Sequence, residues 1–231
     1  MKDWVEFWNT DTNFYAPKRY TRLYFRTIAR AVGVLVPLKD KMLLNFGCGE
    51  AGETQEFTDQ GARVLLFDPA REMERRNRVR YAGMQDVSVL TAADIEQLPE
   101  KSLDVIVVNS VVQYMRKEEF AALAGFLRRR LKDGGVLIIG DVVPPNVGMV
   151  RDTASYLYVT LKQGVLLSWL SGFVRIALSS YRDARRRLGF TTWEEHEMLT
   201  ALREAGYSAR RERTNLTLSQ TRMTFTAVPR A

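Results

Sequence analysis

Five short aliphatic runs, at 42–44, 63–67, 87–90, 103–108 and 136–139, recur along the chain with helical segments interleaved. Runs this short and this apolar fit strands buried on both faces, the condition of a parallel sheet covered by helices. The spacing predicts helices over 54–60, 70–81 and 117–131, the last with Phe120, Leu123, Ala124, Leu127 and Leu131 on one face and Gly134 and Gly135 as its stop. A helix over 21–36 precedes the first run and ends at Pro37. Another spans 192–206, where Thr192 and Glu195 stand at capping-box spacing and Gly206 closes it. Two β-rich segments, 207–214 and 221–228, then follow without a helix between them, so they should pair antiparallel.

The expected fold is therefore a Rossmann-like, mostly parallel seven-stranded α/β sheet. Helices cover both faces, and an antiparallel strand pair ends it. At 231 residues, 46% of them hydrophobic, the chain has length enough for one domain over 1–231 with a substantial core. Residues 1–40 read as an N-terminal cover, because Trp4, Phe7, Trp8, Phe14, Tyr15 and Tyr20 are too many aromatics to leave in water. Residues 142–187, after the fifth run, read as a helical insertion or lid. One cysteine allows no disulfide within the chain, and Cys48 with His196 makes too few soft ligands for zinc, so no metal is expected. The first residues are acidic and lack an apolar run, which argues against a secretory signal and for a cytoplasmic protein. The net charge of +7 comes from arginine clusters at 75–80, 128–132, 182–187 and 210–213. They lie on separate elements and read as solvated helix faces, not one nucleic-acid footprint.

The most chemical stretch is 41–52, KMLLNFGCGEAG. A strand, a glycine turn and a helix start make a cradle for a nucleotide-type cofactor. Gly47, Gly49 and Gly52 satisfy GxGxxG, and Asp68 ends the next strand, as a dinucleotide site requires. Tyr158 and Lys162 add a YxxxK pair, so an NAD(P)-dependent oxidoreductase is one reading. Two features oppose it: about 40 residues with their own helix precede the first strand, and Tyr158 sits in a long apolar stretch where such a pair arises by chance.

The other reading uses more of the chain. From about residue 42 to 139 it resembles the class I S-adenosylmethionine-dependent methyltransferases, in particular the small-molecule group. The resemblance rests on NFGCGEAG after the first strand, FDPAREM after the second, AADIEQLP after the third, SLDVIVVNSVVQYM along the fourth and LRRRLKDGGVLIIGD into the fifth, all in order. It implies that Gly47, Cys48 and Gly49 pack under the methionine part of S-adenosylmethionine and that Asp68 accepts from the ribose hydroxyls. It also implies that Asp94 holds the adenine amino group, that Pro69 and Ile95 flank the ring, and that Asn109 lines the amino-acid end. The first loop position, commonly acidic in that family, is Asn45, which can bond the cofactor but supplies no charge to its ammonium. The third glycine is displaced by one, leaving Ala51 before Gly52.

Methyl transfer from a sulfonium is an in-line displacement driven largely by positioning, so a base is needed only for an acceptor that must lose a proton. Asp141 and Tyr114, just beyond the fifth and fourth strands, are the expected catalytic residues; His196 is assigned a surface or packing role. Cys48 in the cofactor loop and NSVV after the fourth strand both argue against a nucleic-acid acceptor. The expected acceptor is a small, hydrophobic molecule. The apolar stretch 156–178 followed by the basic run at 182–187 leaves three readings open: a lid, a dimer contact, or peripheral membrane contact through 156–187. A methyltransferase-like binding protein without turnover is the remaining alternative.

Overall fold

The structure, a computed structural model, describes residues 2–10, 18–145, 184 and 186–230. Its strands are β1 (Met42–Phe46), β2 (Arg63–Phe67), β3 (Val87–Leu90), β4 (Leu103–Asn109), β5 (Leu131–Val142), β6 (Tyr207–Arg211) and β7 (Met223–Pro229). They form one sheet in the order β3-β2-β1-β4-β5-β7-β6. Strands β1 to β5 run parallel, and β7 lies antiparallel between β5 and β6. The described helices are α1 (Lys2–Thr10), α2 (Lys18–Leu35), α3 (Thr54–Asp59), α4 (Arg71–Arg80), α5 (Ala92–Glu96), α6 (Lys117–Arg130) and α7 (Glu195–Glu204). This is the seven-stranded fold that the alternation of runs and helices predicts.

The aliphatic runs work because neighbouring residues face opposite sides of the sheet. Leu43, Val105, Val107 and Ile138 join Ile28, Ala29 and Val32 of α2 and Phe57 of α3 in one apolar cluster. Leu44, Ile106, Val108, Leu137 and Ile139 join Phe120, Ala124 and Leu127 of α6 and Met198 and Leu202 of α7 in the other. Each side chain buried this way contributes about 1.5–3 kcal/mol, so a polar substitution in any central run breaks one layer outright.

Most boundaries shift by a few residues from the sequence expectation, and three of the shifts have a visible cause. Helix α6 stops at Arg130, before the glycines, because the N–H groups of Lys101 and Ser102 take the carbonyls of Arg129 and Arg130. Leu131 then pairs with Leu103, and the Lys-Asp-Gly-Gly stretch becomes an irregularity inside β5, not a helix stop. Helix α7 starts at Glu195, and the carboxylate that closes its first turn is Glu197, which accepts from the N–H of Glu194. Thr192 cannot cap it, since Thr191 and Trp193 are held extended by the carbonyls of Gln113 and Val143. Strand β6 ends at Arg211, and residues 215–219 turn inward and are buried.

The expected insertion over 142–187, with the apolar stretch 156–178 and the Tyr158/Lys162 pair, lies almost wholly outside the described residues; of it, 142–145, 184, 186 and 187 are described. Among the described residues no helix is long and apolar enough to cross a membrane.

Candidate active site

From β1 the chain moves outward through β2 to β3, then crosses back to β4 on the other side of β1. The crevice at the carboxyl ends of β1 and β4 is the switch point of the sheet, where ligands of open α/β folds gather. Of the expected site residues, Asn45 is the penultimate residue of β1, Gly47, Cys48 and Gly49 form the turn after it, Asp68 and Pro69 follow β2, and Asp94 and Ile95 lie on α5 after β3. Asn109 ends β4, Tyr114 follows it, and Asp141 lies near the end of β5. The fold brings them all to one end of the sheet.

The turn is built for close approach. Gly47 has φ +68°, and a Cβ there would lie 2.5 Å from Val111 Cγ2. The displaced glycine answers a different constraint. Ala51 occupies the left-handed position at φ +49°, while Gly52 makes room for the ring of Phe25 on α2. The amides of the turn are largely spent within the protein. Gly47 and Cys48 donate to the Phe67 carbonyl, Gly49 to Asp68 Oδ2 at 2.8 Å, Ala51 to the Cys48 carbonyl and Thr54 to the Ala51 carbonyl. A pyrophosphate cradle needs such amides free. That, and the carboxylates below, disfavours a dinucleotide here.

Asp68 accepts from the N–H groups of Gly49 and Ala70, and burial pushes its pKa up to about 6. Cys48 is buried, its Sγ bonded by Asn77 Nδ2. Burial first, then the charges of Asp68 and Glu53, push its thiol well above the usual range, so it is not a nucleophile at neutral pH. Asn45 is 2% exposed and donates from Nδ2 to Glu53 Oε1 at 2.8 Å. Glu53, 4% exposed, is invisible as a site residue in sequence, where an acid at a helix start reads as ordinary. Its Oε2 and the Oδ1 of Asn109 are buried without a hydrogen-bond partner. A cradle with unsatisfied acceptors under and beside it fits a ligand that carries donors and positive charge.

A second polar network stands beside it. Ser110 and Asp141, neighbours across β4 and β5, both adopt left-handed backbone, at φ +58° and +60°. Ser110 Oγ donates to Asp141 Oδ2 at 2.9 Å, and Thr217 Oγ1 to Oδ1 at 3.0 Å; Asn215 contributes Nδ2 to Oδ1 at 3.4 Å and accepts the Asp141 N–H at 3.1 Å. Burial raises the pKa of Asp141, opposed by the charge of Arg222 and by these bonds. Tyr24 of α2 reaches the same group, its hydroxyl 3.4 Å from Ser110 Oγ. Asn215 and Thr217 also escape sequence reasoning, because a polar stretch between two strands reads as a turn.

The third component is aromatic. The Tyr114 ring lies 4.7 Å from Trp4, 5.9 Å from Trp8 and 5.4 Å from Phe190, centroid to centroid. Helix α1 is held at its other end by Asn9, whose Oδ1 accepts from the Glu72 N–H at the start of α4. Since α4 follows β2 and Tyr114 follows β4, α1 straddles the end of β1 and so the glycine turn.

Asp94 is exposed, its Oδ2 taken by the N–H and hydroxyl of Thr91 in a capping box, and Ile95 is buried with Phe46 and Phe67 in the core. His196 is exposed on the first turn of α7. Among the described residues no group of three or more acidic, histidine or cysteine side chains is placed to hold a metal ion.

Residues 44–139 match the methyltransferase domain family. A carboxy-S-adenosyl-L-methionine synthase of Hydrogenovibrio crunogenus is 21% identical over 80% of this chain and 74% of its own length. One from Dichelobacter nodosus is 31% identical, over 47% of this chain and 48% of its own. Among solved structures, a chain from the Haloferax volcanii complex of the Trm112 methyltransferase activator with a methyltransferase superposes with a TM-score of 0.66. It is 15% identical, with 98% of both chains covered. Burkholderia thailandensis 1,6-didemethyltoxoflavin-N1-methyltransferase, bound to S-adenosylhomocysteine, gives 0.63 at 14% identity, covering 100% of this chain and 87% of that one. The matched domain spans the strands and turns that carry the glycine cradle, Asp68 and Asn109. The chain thus carries, over residues 44–139, a domain of the methyltransferase family, in a fold shared with S-adenosylmethionine-dependent methyltransferases.

Proposed function

We propose that the protein transfers a methyl group from S-adenosylmethionine to a small, largely apolar acceptor held between the glycine turn and α1. The observation that carries this reading is the aromatic wall of Trp4, Trp8, Tyr114 and Phe190, drawn from three distant stretches to the mouth of the cofactor crevice. Such rings offer a flat, desolvating surface to an apolar molecule. The toxoflavin enzyme above and human N-acetylserotonin methyltransferase, which gives a TM-score of 0.57 at 11% identity over 90% of this chain, are both named for small acceptors.

When bound, the cofactor supplies an electrophilic methyl on a sulfonium. Asp68 would take the ribose hydroxyls, the unsatisfied Oδ1 of Asn109 the amino-acid end, and the free oxygen of Asp94 the adenine amino group, with Pro69 and Ile95 beside the ring. Gly47, Cys48 and Gly49 would form the floor. Asp141, with both oxygens engaged, acts as a positioning residue that fixes Ser110 and the 215–219 segment. Tyr114 presents its ring to the acceptor. One buried, unpaired cysteine suits a cytoplasmic setting. Contact of 156–187 with an anionic membrane surface is a separate part of the proposal, tested by salt-sensitive binding to liposomes.

A second reading, production or use of a carboxylated cofactor, is favoured by the synthase relatives that align over 80% of the chain. One experiment separates these readings. The protein is incubated with methyl-labelled S-adenosylmethionine and a cell extract, and label and cofactor mass are followed. Label in a low-molecular-weight fraction, lost in Trp4→Ala/Tyr114→Ala while S-adenosylhomocysteine still binds, supports the proposal. Label in RNA or protein overturns the acceptor class, and a cofactor heavier by a carboxyl group establishes the second reading. Firm binding with no transfer to any fraction supports the binding protein without turnover.

A further inference from the structure

We infer that Glu53 is the carboxylate that serves the cationic cofactor in place of an acid at position 45, and that it loses its proton when the cofactor binds. The inference rests on the cofactor assignment above and goes beyond it to a residue that the family pattern does not mark.

The geometry is specific. Position 45, near the end of β1, holds a neutral amide whose Nδ2 donates to Glu53 Oε1 at 2.8 Å. Both side chains are almost wholly buried, at 2% and 4% exposure. One carboxyl oxygen of Glu53 is thus spoken for, and the other, Oε2, is buried without a partner. An unpaired buried carboxylate oxygen is costly unless the group is protonated or a cation stands near it. The arrangement keeps an acid under the glycine turn, one hydrogen bond removed from where the family keeps it.

Among the described residues, the groups that act on Glu53 include no cation. Burial raises its pKa to about 7, against partial relief from the backbone and from Asn45. The titratable groups that face it are Tyr24 of α2, Cys48 of the turn, Tyr81 beyond α4 and Glu56 on α3. Burial pushes both phenols and the thiol above their usual ranges, so they are neutral near pH 7, and Glu56 opposes ionisation of Glu53. In the free protein Glu53 is therefore about half protonated near neutrality. The positive charge of an arriving ligand favours the carboxylate, so the proton that Glu53 still holds passes to solvent as the complex forms, about half a proton per complex at pH 7.

Linkage gives the size of the effect. With the free group titrating near 7 and the bound one ionised throughout this range, affinity should rise about tenfold from pH 6 to pH 8 and then level off. Asp68 adds its own dependence, centred lower, near 6. Glu53→Gln separates the two, because it keeps an acceptor for Asn45 Nδ2 and leaves Asp68 untouched.

The test is titration calorimetry of the full chain with S-adenosylmethionine and S-adenosylhomocysteine at pH 6, 7 and 8. Each titration is run in two buffers of different ionisation enthalpy, so that protons released on binding are counted. The wild type should release close to half a proton more at pH 7 than Glu53→Gln. The variant should bind several-fold more weakly at pH 8 and show only the lower transition. Asn45→Asp/Glu53→Gln returns an acid to the first position, so it should recover affinity with the release moved to lower pH. It also tests the idea if the single variant folds poorly. Equal proton release and equal pH dependence in wild type and Glu53→Gln overturn the inference while leaving the cofactor assignment intact. Failure of the wild type to bind either ligand overturns that assignment and the inference together.

Discussion

Replacing Gly47 with alanine tests whether the cradle is shaped by the contact between the turn and Val111. The residue sits at φ +68°, where an alanine costs about 1–2 kcal/mol. The new methyl would lie 2.5 Å from Val111 Cγ2 and 3.3 Å from its Cγ1. Overpacking of that kind adds about 1–3 kcal/mol. The backbone cannot rotate away cheaply, because the N–H groups of Gly47 and Cys48 are both tied to the Phe67 carbonyl at 2.7 and 3.1 Å. Gly47→Ala should therefore cost about 2–5 kcal/mol, a large part of the usual stability of a domain. Val111→Ala alone should cost about 1–3 kcal/mol through its buried methyls. In the double variant the clash is gone and only the backbone strain remains, so the losses should fall short of additivity by about 1–3 kcal/mol. Equilibrium urea unfolding of the four proteins measures this. A loss under about 0.5 kcal/mol for Gly47→Ala, or strict additivity, would refute the packing argument.

Asp68→Ala should weaken S-adenosylhomocysteine binding about tenfold or more, read by calorimetry, since charge-assisted bonds to the ribose and the brace on Gly49 go together. Glu53 binds its proton more tightly folded, near 7, than at its ordinary 4.5, so its contribution to stability is lost as pH rises between those values. Glu53→Gln should accordingly stabilise the ligand-free protein by about 3 kcal/mol at pH 8.5 and by under about 1 kcal/mol at pH 5, measured by unfolding at both. Lys101→Gly relieves a left-handed residue at φ +51° and should gain about 1 kcal/mol in the same assay, because the exposed pair with Asp133 is worth little. Asp141→Asn should cost about 2–3 kcal/mol, because an amide cannot accept from Ser110, Thr217 and Asn215 as the carboxylate does; a neutral result would show the network to be incidental.

The sheet is legible because its signal is local. Each strand of the parallel half is an aliphatic run, and each functional position at a strand end is marked by a glycine, an acid or an amide. What cannot be read is whatever depends on which distant residues meet. In sequence Asn45 is a lost charge, and only the fold shows its partner Glu53 eight residues on, across the turn. Asp141 reads as a free base, whereas the groups that occupy it are the Ser110 hydroxyl across the sheet and a hydroxyl and an amide from a loop more than seventy residues away. The 207–214 segment reads as strand throughout because periodicity cannot tell a strand that continues from one that ends to fill a polar hollow. Helix α1 is hidden for a related reason: its aromatics announce burial, and only the contacts of Trp4 with Tyr114 and Phe190 say against what.

These buried carboxylates also explain how a basic chain takes a cationic cofactor. The net charge of +7 lies in arginines spread over separate elements, whereas Asp68 and Asp141 stand at the ends of β2 and β5 and Glu53 at the start of α3, all around the crevice. Burial raises the pKa of all three, so each holds its charge at a cost that a positive ligand reduces and a phosphate increases. A glycine turn alone does not distinguish a dinucleotide from a sulfonium nucleoside. Here the amides of that turn already serve the Phe67 carbonyl and Asp68, and the charge beneath it is negative. Both preferences would have to be reversed before a pyrophosphate could sit there. The discrimination thus belongs to the layer under the loop, and Glu53→Lys, which inverts it, should abolish S-adenosylmethionine binding even where the sheet survives. If binding of S-adenosylmethionine is unchanged in a folded Glu53→Lys protein, the charge under the turn does not select the cofactor.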